Sequence, residues 1–361
     1  MARFRRLHWP LVATALLALA VTLGLAACST PQTTFDPKSD AAQRTHDIYI
    51  LLTVLASLVG AGVLGALVFA LWRFRSRPGH VAAQFHGHTG VEVLWTLIPA
   101  AILVVITVPS VLAMVEADRD PDADALLITV TGHQWWWEVE YQSLGPDGGA
   151  LVTANELHLP VGRQVGITLE SDDVIHSFWV PQLVGKLDAL PGRTAALEPF
   201  TPSEVGVYYG QCAEFCGVAH AMMRFRVIVE PLAEFERWAA ALQTAPTQPA
   251  GLAAQGQGLF LSAGCIVCHT IAGTSAQGKV GPDLTRFGSR LTLGAGILEN
   301  NEENLKDWIY DIRALKPVAD DGGVQYMPSF GTLAADAVPY RGLTESDIAA
   351  LTAYLLGMRV G

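Results

Sequence analysis

The sequence is poor in basic residues and in cysteine, and both shortages narrow what the chain can be. Lysine and arginine total 23 against 34 aspartates and glutamates, a formal net charge of -11 over 361 residues. The imbalance is concentrated: residues 116–243 carry 7 basic and 19 acidic side chains, residues 251–361 carry 8 and 11. A surface of that sign argues against nucleic acid and suits a basic protein partner steered in by the field. Cysteine occurs only 5 times. Cys28 stands alone, and the others form two close pairs, Cys212 with Cys216 and Cys265 with Cys268. Each pair has a histidine at a short offset, so ligand sets are a better reading than disulfides, although an extracytoplasmic location would permit a bond within each pair. No internal repeat is present.

What is present begins with apolar runs. Arg3, Arg5 and Arg6 precede an almost wholly apolar Leu11 to Leu25, the pattern of a signal peptide over residues 1–27. Leu25-Ala26-Ala27-Cys28 resembles the bacterial lipoprotein cleavage box, which makes Cys28 the expected lipidated residue; an ordinary signal peptide or an uncleaved anchor is the alternative. Residues 28–45 are polar, with Pro31 and Pro37, and read as a tether. A transmembrane hairpin is expected over 46–115, with spans at 48–72 and 94–115. Gly60, Gly62 and Gly65 allow close helix packing in the first span; Pro99 and Pro109 can bend the second. Arg73, Arg75 and Arg77 put the end of the first span on the cytoplasmic side. Everything after Glu116 then lies outside. Glu92 is a lone carboxylate at the cytoplasmic start of the second span, readable as a group on a proton path or as an interfacial anchor.

Residues 116–243 hold many short alternating or aromatic runs, broken at Gly145-Pro146-Asp147-Gly148-Gly149, Pro160-Val161-Gly162 and Pro191-Gly192-Arg193. This predicts a Greek-key β-sandwich or barrel. Residues 244–250, with Pro246 and Pro249, read as a linker. Residues 251–361 predict a small all-α domain with helices near 252–260, 303–311 and 344–356 and no obvious strand.

Two stretches carry chemistry. Between Cys212 and Met223 lie two thiols, a carboxylate, an imidazole and two thioethers. Soft sulfur with imidazole is a copper-type set, and two cysteines four apart could bridge a metal pair. A second histidine must come from elsewhere, and His176 stands between a turn and a strand. A zinc site of two cysteines and two histidines is the alternative. Downstream, Cys265-Ile266-Val267-Cys268-His269 is the pattern of covalent c-type haem attachment.

Cys212, Glu214, Cys216, His220 and Met223, with His176 preceding Ser177, resemble the binuclear copper centre, CuA, of the second subunit of haem-copper oxidases. The resemblance implies that both thiolates bridge two coppers, that His176 and His220 cap one each, and that Met223 is a weak ligand. It implies that Glu214 ligates through its carbonyl while its carboxylate reaches a magnesium ion at the catalytic subunit. Thr131-Gly132-His133-Gln134-Trp135-Trp136-Trp137 resembles the family's aromatic patch. Trp135 is then the residue that accepts electrons from outside, with Trp137 next on the same strand face. Glu92 matches a glutamate at the mouth of a proton channel. The haem motif, Gly281-Pro282-Asp283-Leu284 and Tyr326-Met327-Pro328 resemble a class I cytochrome c. Cys265 and Cys268 would carry the thioethers, His269 would be the proximal ligand held by the Pro282 carbonyl, and Met327 the sixth ligand.

Over nearly all of its length the chain resembles the second subunit of a caa3-type cytochrome c oxidase. That implies a multidomain membrane protein: a two-helix hairpin, a cupredoxin-like Greek-key sandwich and an all-α class I cytochrome c domain. Electrons would pass from a cytochrome c or an upstream respiratory complex through haem c and CuA to haem a of subunit I, where oxygen is reduced and protons are pumped; subunit III is a further partner. The membrane implied is the bacterial inner membrane, with both redox domains on the periplasmic or outer face. An electron-transfer subunit of a nitric or nitrous oxide reductase is the alternative, although the large histidine-rich domain of the latter is absent here. A quinol oxidase subunit would lack the copper ligands.

Overall fold

The computed structural model describes residues 31–361 apart from 76–77, 80–85, 146–147, 245, 247, 318–326, 336–339 and 360–361, together with 15 and 19. The signal segment, Cys28 and Tyr326 lie outside the described residues.

Two long helices come first, α1 (Asp40–Arg73, 34 residues) and α2 (Thr89–Ala117, 29 residues). Each exceeds the roughly 20 residues that a bilayer core requires, and the apolar side chains along both are exposed, as a lipid-facing surface demands. Pro99 and Pro109 both lie inside α2. Helix α1 begins before its apolar run because Ser39 caps it. The Ser39 hydroxyl accepts from Ala42 N–H at 3.0 Å and donates to the Leu183 carbonyl. Lys38 pairs with Glu204 at 2.6 Å and Arg44 with Glu198 at 2.7 Å. The part of the expected tether between residues 38 and 45 is therefore a helix start fastened to the outer domain. Its polar composition concealed this, because its partners are distant in sequence.

The outer domain is a sandwich of two five-stranded sheets. One carries β1 (Leu126–His133), β2 (Trp136–Tyr141), β3 (Leu151–Ala154), β5 (Val165–Ser171) and β8 (Ala195–Ala196), in the order β3-β2-β1-β5-β8. The other carries β4 (Glu156–Pro160), β6 (His176–Val180), β7 (Val184–Ala189), β9 (Gly206–Cys212) and β10 (Arg224–Glu230), in the order β4-β10-β9-β6-β7. Alternate residues such as Ile128 and Val130 face Phe178, Phe225 and Val227 across the core. Trp137 sits edge-on to Phe178 and Phe225 at 5.9 and 5.7 Å between ring centres. Helix α3 (Leu232–Gln243) buries Phe235 and Ala239 on this core.

In the C-terminal domain α4 (Leu252–Ser262) crosses α7 (Glu345–Gly357), with α5 (Glu302–Tyr310) and α6 (Ile312–Leu315) beside them. Gly256 permits the crossing: a Cβ there would stand 2.0 Å from the Ala350 carbonyl oxygen. A hairpin of two-residue strands, β11 (Thr292–Leu293) and β12 (Leu298–Glu299), was not foreseen, since strands so short leave no alternation to read. Its tip is the seam between the outer domains. Gly294, Ala295 and Gly296 all have positive φ, 70°, 65° and 78°. This turn aims their carbonyls at the sandwich: Ala295 accepts from Arg224 N–H and Gly296 from the Arg226 guanidinium, both at 2.9 Å. Ala295 packs in a small apolar cluster with Trp136 and Ala154. Beside it the Glu156 carboxylate accepts from the amides of Leu291 and Thr292 at 2.7 and 3.0 Å.

Candidate metal and haem centres

Cys212 ends β9, and the loop after it returns through the short 3-10 turn His220–Met222 to Met223, immediately before β10. The neighbouring β6 opens with His176 and pairs Phe178 with Cys212. Two adjacent strands and one loop thus bring the sulfur and imidazole groups together. The Cys212 and Cys216 sulfurs are 3.8 Å apart and not bonded. Cys216 Sγ lies 3.6 Å from His220 Nδ1 and 3.8 Å from Met223 Sδ. Cys212 Sγ lies 4.0 Å from His176 Nδ1 and 3.2 Å from the Glu214 carbonyl. Both cysteines, His176 and Met223 are buried.

Electrostatics suit a cation. The Cys212 thiol is pushed down to about 3, first by the hydrogen bond from Cys216, against desolvation, with help from His176. Cys216 is pushed up by the same contact. Two adjacent buried sulfurs cannot both ionise without positive charge between them, and a metal supplies it. Burial pushes His176 down, but Asp173 and Cys212 more than offset this and its pKa is raised. Asp173 Oδ1 lies 2.7 Å from His176 Nε2 and leaves Nδ1 to face the sulfurs, the usual orienting arrangement for a metal-bound histidine. Gly132 gives the ring room, since a Cβ there would stand 2.7 Å from it. The donor set fits a soft metal centre.

The C-terminal domain encloses a cavity lined by Cys265, Cys268, His269, Pro282, Met327 and Tyr340. His269 Nδ1 lies 2.8 Å from the Pro282 carbonyl, which leaves Nε2 for a ligand. Burial lowers its pKa and keeps the imidazole neutral, against the raising effect of that carbonyl. A Cβ on Gly281 would stand 2.7 Å from the His269 ring. Arg290 also lines the cavity; its buried Nε has no partner among the described residues and suits the acidic edge of a haem. This cavity fits a covalently held haem.

The two centres meet at one turn. Trp135 and Trp136 form part of the haem-cavity wall although they belong to the sandwich. Trp135 Nε1 donates to the Cys216 carbonyl at 2.9 Å, and Gln134 Nε2 donates to the same oxygen at 2.7 Å. Trp135 lies in the turn between β1 and β2, so the expectation that Trp137 continues its strand face is corrected: alternation does not extend through a turn. Trp137 is fully buried in the core, its ring centre 5.8 Å from that of His176. Glu92 stands apart in the first turn of α2, where its charge complements the helix N-terminus. The Glu214 carboxylate takes the Phe215 amide at 3.1 Å. Sequence reasoning missed Asp173, Gln134 and Lys316. Asp173 was findable, as an acid three residues before His176; Lys316 left no local signal.

Comparison with known proteins agrees with this layout. Residues 18–112 match the family Cytochrome C oxidase subunit II, transmembrane domain; residues 146–230 match its periplasmic domain; residues 253–359 match Cytochrome c. Cytochrome c oxidase subunit 2 of Alkalihalophilus pseudofirmus is 37% identical over 94% of this chain and 95% of its own length. That of Bacillus subtilis is 32% identical over 98% of both. Among solved structures, the periplasmic domain of subunit II of cytochrome oxidase from Bradyrhizobium japonicum is 31% identical, covering 35% of this chain and 96% of that one, with a TM-score of 0.31. A membrane hairpin that carries a thiolate–imidazole cluster and a c-type haem cavity defines a two-centre electron-transfer subunit. The chain belongs to the cytochrome c oxidase subunit 2 family. It is an inner-membrane subunit of an enzyme complex whose catalytic site lies in a partner, and its two redox domains are periplasmic.

Proposed function

We propose that electrons cross this chain in a single order: cytochrome c or an upstream complex, then haem c, then Trp135, then a binuclear CuA centre, then haem a of subunit I. The observation that carries this reading is the position of Trp135. It is only 5% exposed, it walls the haem cavity, and it hydrogen-bonds the carbonyl of Cys216. A donor from outside therefore meets the haem domain first, and the family's exposed tryptophan becomes an internal relay.

Haem iron and paired copper each supply a one-electron couple when bound. Cys212, Cys216, His176, His220 and Met223, with the Glu214 carbonyl, would hold the paired copper. Cys265 and Cys268 would hold the haem by thioethers, and His269 and Met327 would bind its iron, which would serve electron transfer rather than oxygen chemistry. Ligands held by two adjacent strands and one short loop, most of them buried, move little between redox states, which keeps reorganisation small. Trp137 stiffens the His176 side of the centre. The Glu214 carboxylate serves a magnesium ion at subunit I, Glu92 serves a proton path on the cytoplasmic side, subunit III completes the complex, and Cys28 carries a lipid. The domains proposed are 1–27, 28–45, 46–115, 116–243, 244–250 and 251–361.

Rapid mixing of the assembled oxidase with reduced cytochrome c tests the order. Haem c absorbance should change first, with copper following as haem c reoxidises. Copper reduced before the haem, or at an unchanged rate in a Cys265→Ala/Cys268→Ala chain whose copper spectrum is intact, would overturn it.

A further inference from the structure

Lys316 is a buried amine with no obvious business in a haem domain. It follows α6, its amide held by the Ile312 carbonyl at 2.8 Å, and its side chain lines the haem cavity. Only 8% of it is exposed, and burial pushes its pKa down to about 7. No carboxylate among the described residues pairs with it. Fixing a lysine side chain forfeits rotamer entropy, and burying its charge costs more. Its two contacts give such a group a reason to be there.

Lys316 Nζ donates to the Trp135 carbonyl at 2.8 Å and to the Gly294 carbonyl at 3.3 Å. The first contact crosses the seam. Trp135 in turn holds the Cys216 carbonyl through its indole. The second contact braces the tip of the β11–β12 hairpin, where the next residue, Ala295, accepts from Arg224, the neighbour of Met223. One route runs from the ammonium through Trp135 and its indole to the Cys216 carbonyl, the other through the hairpin tip to Arg224, next to Met223. Met or Leu of similar volume would fill the space but could not bridge two carbonyls.

We propose that Lys316 is a positioning residue for haem-to-copper electron transfer: its ammonium locks the haem domain to the Trp135 turn and holds the two centres at one spacing. The proposal rests on the serial order given above. It assigns Lys316 no contact with either metal and no share in binding the copper.

The assembled oxidase tests it, with an electron photoinjected into haem c by a soluble ruthenium dye and followed at the haem and copper bands. Lys316→Met should slow haem-to-copper transfer, because a loosened seam lengthens the spacing of the two centres, with haem and copper spectra unchanged. Lys316→Arg, which keeps a cationic donor, should recover most of the rate. A parental rate in Lys316→Met overturns the proposal. So does a slowing accompanied by an altered copper resonance, which would make Lys316 a prop of the copper loop. If Lys316→Met does not assemble, Lys316→Leu is held to the same outcomes. Failure of transfer in the parent protein overturns the serial order, and this role with it, and is recognised because it does not depend on position 316.

Discussion

Trp135 and Cys216 are joined by a 2.9 Å hydrogen bond from the indole N–H to the main-chain carbonyl, although they lie 81 positions apart. The carbonyl also takes the Gln134 side chain. Trp135→Phe keeps a ring in the haem wall and leaves Cys216 its second donor. The expected outcome is slower haem-to-copper transfer, an intact copper resonance and a stability loss of about 1 kcal/mol. Photoinjected transfer and thermal unfolding measure the two effects. A parental transfer rate would remove Trp135 from the route.

Asp173 orients His176 from the side opposite the sulfurs. Asp173→Ala should weaken copper binding by roughly 10- to 100-fold, as removing such partners does in other metal sites. Competition against a chelator would measure it. The same variant should leave the haem spectrum unchanged, because Asp173 does not line the haem cavity.

Much of this molecule was legible because its chemistry is local. Cys212 to Met223 lie within twelve residues, and Cys265 to His269 within five; short spacings on one loop leave few ways to arrange the donors. The spans were legible because lipid demands long apolar runs. The seam was not. Lys316 meets Trp135 across 181 positions and Glu156 meets Leu291 across 135, and neither pair has a periodicity to betray it. The Trp135 turn misled for a different reason: three successive tryptophans look like strand, and the turn is held by bonds to residues distant in sequence, from Gln134 and Trp135 to Cys216 and from Lys316 to the Trp135 carbonyl.

Met327 lines the same cavity as His269 and Pro282, and a thioether paired with an imidazole on iron raises its potential. Met327→Leu should lower the haem c midpoint and open a coordination position. Redox titration would show the first change and carbon monoxide binding to reduced haem c the second. An unchanged midpoint would assign the sixth position to another residue.

Glu156 contributes to the pH response of the seam. Burial is the main cause of its raised pKa; His158, Arg290 and the two amides that it accepts from pull the other way without cancelling it. A carboxyl raised in the folded state binds its proton more tightly there than in the unfolded chain. Its stabilising contribution is therefore full below the ordinary value of 4.5 and is lost as pH rises through the raised value. Glu156→Gln keeps an acceptor oxygen for Leu291 and Thr292 and carries no charge. It should flatten this part of the pH profile and match or exceed the parent in stability near neutral pH. Glu156→Leu strands both amides and should cost about 1–3 kcal/mol at every pH. Thermal unfolding of the haem-loaded protein across mildly acid to neutral pH separates the two variants. If Glu156→Gln lost stability as pH rose just as the parent does, the proton would have to sit elsewhere.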